Sequence, residues 1–151
     1  MHDAGMAFHP HRPHALRPWL RWSIYFLALS LVLTGGLWLG VHFLNWPAAS
    51  RPAMEGLPSP WESPLMKAHG AAMLVMIFFM GRLSGTHVLL GWRIHKRVWD
   101  GVGLLVLFGL LAASGYGLYY WIPDDWRDGL GLIHGVVGCL TVLMLVYHRR
   151  R

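Results

Sequence analysis

Apolar positions in this chain come in long unbroken runs, not in the strict alternation of a strand or the three-and-four spacing of a half-buried helix. No Asp, Glu, Lys or Arg lies between Arg21 and Arg51, none lies in 101–123 or 129–148, and 68–92 carries Arg82 alone. Each run reaches or exceeds the roughly 20 residues that a helix needs to cross the hydrocarbon core of a bilayer. The pattern predicts four spanning helices, at about 19–44, 65–91, 98–121 and 130–148. Trp19, Trp22, Trp46, Trp61, Trp92, Trp99, Trp121 and Trp126 stand at or beyond the ends of these spans, where an amphipathic ring meets the lipid headgroups. Only Trp38 is interior.

Composition agrees with the pattern. Of 151 residues, 55% are hydrophobic and 13% charged, too apolar and too sparsely charged for a soluble monomer. The expected fold class is an all-α membrane protein, a four-helix transmembrane bundle spanning 19–148. Residues 1–18, with His9, Pro10, His11, Arg12, Pro13 and His14, read as a flexible basic cytoplasmic tail, and 149–151 as a basic C-terminal end. Prolines in that tail prevent the i, i+4 spacing that would orient its histidines toward a metal. The apolar stretch from Trp22 to Trp46 exceeds the roughly 7 to 15 residues of a signal-peptide core, so it is expected to stay as an anchor. Cys139 is the sole cysteine. It can form no intrachain disulfide and reads as small packing filler in the last span.

The net charge of +6 suggests nucleic acid only if the basic residues form one stripe, and here they are split into clusters between spans. They report topology instead. Arg12, Arg17, Arg21, Arg82, Arg93, Lys96, Arg97, Arg149, Arg150 and Arg151 fall on one side, against Arg51, Lys67 and Arg127 on the other. By the positive-inside rule both termini and the loop between spans two and three are cytoplasmic, as in a bacterial-type inner membrane protein. The remaining loops, one Pro-rich from Pro47 to Pro64 and one acidic with Asp124, Asp125 and Asp128, face outward.

Stacking the spans reveals a two-helix internal repeat. Span one contains Leu33-Thr34-Gly35 and span three Ala113-Ser114-Gly115; span two opens with Ala68-His69-Gly70-Ala71 and span four with Ile133-His134-Gly135-Val136. Two copies running in the same direction make spans two and four parallel and set His69 and His134 at one depth on the outer side.

Ionisable residues inside a membrane are costly and mark function. The candidates are His42, His69, Arg82, His87, His134 and His148. His134 and His148 are 14 residues apart, about 21 Å and nearly four helical turns, so they share a face. His69 and His87 are 18 apart, about 27 Å and five turns, and also share one. Neutral imidazole is the commonest metal ligand. Two parallel helices with such stripes clamp one haem in each leaflet. His42, at the outer end of span one, is the alternative to His69. His87 and His148 also read as interfacial histidines and His95 as part of a basic loop. Met66, Met73, Met76, Met80 and Met144 read as gap-filling core.

Thr34-Gly35-Gly36 in span one, Ser114-Gly115-Tyr116 in span three, and His134-Gly135 with His148 in span four carry a resemblance. The chain resembles the four-helix membrane b-type cytochromes, which include the cytochrome subunits of formate dehydrogenases and hydrogenases and, more distantly, the cytochrome b of bc complexes. The resemblance implies haem b, one or two per chain, held by paired histidines and passing electrons between a quinone and a redox partner on one membrane face. Carried over by position, His134 and His148 each ligate a haem, with His69 opposite His134. The dehydrogenase and hydrogenase subunits usually take the inner partner ligand from the start of the first helix, where this chain has Trp19-Leu20-Arg21-Trp22. His87 takes that place here, similar to the bc arrangement, with Gly81 and Gly85 able to kink the span. Arg82 either pairs with a haem propionate or quinone carbonyl, or snorkels to the cytoplasmic surface.

No nucleotide fingerprint, G-x-S-x-G or H-E-x-x-H is present, so a substrate-converting site is not expected in this chain, and a catalytic subunit, if there is one, is another polypeptide. Expected partners are membrane lipid, quinone, and a redox partner protein or complex subunits. Two other classes stay open: a small multispan transporter or metal-handling protein using the histidines as a polar path, and a cofactor-free membrane anchor.

Overall fold

The computed structural model describes residues 17–44, 59–85 and 98–150, and in them the chain is all-helical. Four helices follow in order: α1 Pro18–Leu44, α2 Glu62–Leu83, α3 Val98–Tyr120 and α4 Asp124–Arg150. All four are long and apolar enough to cross a membrane. In lipid every backbone amide must be satisfied within the element, which a helix alone achieves for a single segment. The hydroxyls obey the same rule. Ser30 donates to the Phe26 carbonyl, Ser84 to that of Met80 and Thr141 to that of Val137, each at 2.8 Å.

α4 begins at Asp124, earlier than the apolar run at 130 suggests. Pro123 stands just before it, and Asp124 and Asp125 occupy its first turn, where carboxylates meet the positive end of the helix dipole. Arg127 ties this turn down by pairing with Asp124 and donating to the Ile122 carbonyl at 3.0 Å. α3 closes just before it, with the Trp121 and Ile122 amides both donating to the Gly117 carbonyl at 2.9 Å. Only three residues separate α3 from α4, which makes them an antiparallel hairpin.

α1 packs along α2, α3 along α4, and α1 also crosses α4. α2 and α4 run parallel and make no comparable backbone approach. Near the end where α1 begins, Leu20, Ile24 and Leu27 of α1 close on Met76 and Leu83 of α2, with Phe79 and Phe108 against them. This dry cluster fills one half of the bundle. The other half carries polar groups.

Outward, Phe26, Leu74, Phe78, Val136 and Leu143 are all more than half exposed, the faces that meet lipid. Because lipid tails are as apolar as leucine, helix association here rests on close packing and polar contacts more than on water exclusion. Gly103 shows such packing: a Cβ built there meets the Met144 methyl at 2.7 Å. Trp19, Trp22, Trp61, Trp99, Trp121 and Trp126 are exposed near helix ends, as belts require. Trp46 and Trp92 lie outside the described residues.

Candidate functional site

The two repeat units supply the polar half. His69, on the second turn of α2, and His134, on the third turn of α4, bring their ring centroids to 6.3 Å with planes 66° apart. Both are half-buried. Each is held by a hydroxyl of its own hairpin: Thr34 Oγ1 lies 3.0 Å from His69 Nδ1 and Ser114 Oγ lies 2.8 Å from His134 Nδ1. The glycine following each hydroxyl lies against the same ring. A Cβ on Gly35 meets His69 Cε1 at 3.2 Å, and one on Gly115 meets His134 Cε1 at 3.4 Å.

One hydrogen-bonding arrangement serves both rings. Thr34 spends its one hydroxyl proton on the Ser30 carbonyl at 2.7 Å, and Ser114 donates to the Leu111 carbonyl at 3.2 Å. A hydroxyl has one donor and two acceptor sites, so with its proton on the carbonyl each can accept an Nδ1–H from the imidazole. The proton on Nδ1 leaves a lone pair on Nε2. That is the form in which histidine ligates a metal, with a second group fixing the ring from behind.

His42, the alternative ligand in the sequence, is committed elsewhere. Its Nδ1 is 3.1 Å from Glu62 Oε2 and its Nε2 is 3.2 Å from Asp128 Oδ1, while its ring stacks on Trp38 at 4.5 Å and 11°. Glu62 is fixed in turn, its other oxygen accepting the Ser59 amide at 3.1 Å.

His148 is half-buried on the same face of α4 as His134, where Val137, Gly138, Thr141, Val142, Met144 and Leu145 are also partly covered. Arg82 is exposed in the last turn of α2. His87, His95 and the tail histidines lie outside the described residues. Among the described residues no three His, Cys, Asp or Glu converge to hold a metal ion by protein ligands alone. The glutamate and aspartate on His42 sit on opposite ring nitrogens and so do not converge either.

Thr34 and Ser114 were visible in the sequence as members of the repeat, but not as partners of the histidines. Thr34 precedes His69 by 35 residues and Ser114 precedes His134 by 20, because the interhelical segments differ in length. Only aligning the two repeat units places each hydroxyl opposite its imidazole. Asp128 read only as one charge of the acidic outward loop, and Glu62 was not singled out. Comparison with protein-family models, curated proteins and solved structures finds no match to this chain.

Proposed function

We propose that this protein is a membrane b-type cytochrome that carries electrons between the quinone pool and an extracytoplasmic redox partner through bis-histidine haem. The observation that supports it most is the His69–His134 pair, two half-buried imidazoles from parallel helices, each presenting a free Nε2 and each held at Nδ1 by a hydroxyl. Their ring centroids stand 6.3 Å apart, so His69 and His134 would be the residues that hold the haem iron.

The donor set fits haem in particular. Two imidazoles alone leave an isolated metal ion short of ligands, whereas a macrocycle brings four nitrogens and needs only axial partners. Gly35 and Gly115 keep side-chain bulk away from both rings, and α2 and α4 do not pack backbone to backbone as the hairpin partners do. When bound, haem would supply one-electron chemistry; the chain would orient the imidazoles and tune the potential through the hydrogen bonds on Nδ1.

His87 and His148 are the proposed ligands of a second haem nearer the cytoplasm, with Arg82 on a propionate or a quinone carbonyl. The basic residues cluster at the end where α1 begins and α4 finishes, which supports cytoplasmic termini in a bacterial-type inner membrane. The acidic turn of α4 then faces the redox partner. Replacing His69 or His134 with Ala removes one haem per chain, measured by pyridine haemochrome on purified protein. Thr141→Val, which removes a hydroxyl bonded within its own helix, leaves haem content unchanged. Equal haem content in all four proteins would overturn the assignment.

A further inference from the structure

His69 is anchored to α1 and His134 to α3, so each imidazole moves with its own hairpin. Their separation is therefore set by how the two hairpins meet, and they meet chiefly where α1 crosses α4. Contacts along that crossing include three between side chains of α1 and groups of α4. Near the start of α1 the Arg149 guanidinium lies over the Tyr25 ring at 5.0 Å. In the middle, a Cβ on Gly135 meets Leu39 Cδ1 at 3.2 Å. At the far end His42 of α1 bonds Asp128 of α4 and, through its other nitrogen, Glu62 of α2.

The last of these is a layer of its own. His42 lies eight residues beyond Thr34, Glu62 seven before His69 and Asp128 six before His134, each about 9 to 12 Å along its helix axis. The three residues thus sit about two turns outward of the pair, on the same helices that carry Thr34 and the two histidines. Trp38 fills the interval between the layers, four residues from Thr34 and four from His42, and its stacking fixes the plane of the His42 ring. Ser59 fixes the Glu62 carboxylate from behind.

We propose that His42 is a positioning residue. With Glu62 and Asp128 it clasps the two hairpins together and so sets the spacing and mutual orientation of His69 and His134. The clasp stands on the contacts of α1, α2 and α4; its effect on an axial pair rests on the haem reading.

The test has two arms on the full chain. Nitroxide labels on native Cys139 of α4 and on Leu74→Cys of α2, both exposed positions, report hairpin separation by pulsed electron paramagnetic resonance without any haem readout. Asp128→Leu shifts the distance distribution to longer values, Asp128→Glu, which keeps the acceptor, restores it, and Asp125→Leu leaves it in place. In haem-loaded protein Asp128→Leu also shifts the ferric low-spin resonance, which reads how the two axial imidazoles are oriented. An unchanged distance distribution in Asp128→Leu overturns the clasp. A longer distance with an unshifted ferric resonance overturns the positioning role. Haem content of the unsubstituted chain, measured separately, bears on the axial pair and not on the clasp.

Discussion

At the scale of single residues, two hydroxyl protons decide what the imidazoles can do. With the Thr34 and Ser114 hydroxyl protons on helix carbonyls, each oxygen can accept from Nδ1 of His69 or His134, which leaves Nε2 for the proposed haem. Outer partners of this kind typically carry about 10- to 100-fold in metal affinity. Thr34→Val and Ser114→Ala are each expected to speed haem loss to a haem-scavenging protein by about 10-fold or more, and unchanged loss in both would remove the hydroxyls from the account. The glycines give a sharper contrast. Gly35→Val sets branched carbon against a ring already 3.2 Å from a Cβ, whereas Gly36 has nothing within 4 Å. Gly36→Ala is expected to keep haem and gain about 0.5–1 kcal/mol of helix stability, while Gly35→Val loses the haem; the visible spectrum and thermal unfolding distinguish them. The histidines were legible in the sequence because they recur in a repeat inside charge-free runs. Their hydroxyl partners were not assigned, because segments of unequal length hide a common spatial relation. The role of His42 was hidden for another reason: Glu62 and Asp128 lie at the mouths of the spans, where a carboxylate reads as an ordinary loop charge.

At the scale of elements, the four helices follow from the four apolar runs, since a bilayer-length segment almost without charge has one way to satisfy its backbone. Boundaries were less legible. The start of α4 is set by Pro123, two first-turn aspartates and the Arg127 ties, which hydropathy does not register. Within the α3–α4 hairpin, close approach at Gly103 against Met144 makes a double substitution informative. Gly103→Leu overpacks the contact and is expected to cost about 1–3 kcal/mol; adding Met144→Ala returns part of that loss, read by thermal unfolding in detergent. Strict additivity of the two changes would show that they do not touch.

For the whole molecule, the bundle divides into a dry half, built on Leu20, Ile24, Leu27, Met76 and Leu83, and a polar half built on two layers of histidine contacts. The pairing of α1 with α4 was not legible from hydropathy, which says which faces are apolar but not which helix each one meets. Orientation in the membrane is open to direct test: a cysteine at Asp125, in place of Cys139, is expected to react with an impermeant maleimide on intact cells, and one at Arg150 only after the membrane is opened. The reverse pattern would invert the topology. Whether His69 and His134 hold haem is decided by a dithionite-reduced minus oxidised visible spectrum of the purified chain with haem quantified per chain. Sharp b-type bands are expected, at one haem per chain for this pair alone and at two where His87 and His148 hold another. A protein expressed with haem available, and still without bands after haem is added, would contradict the haem assignment.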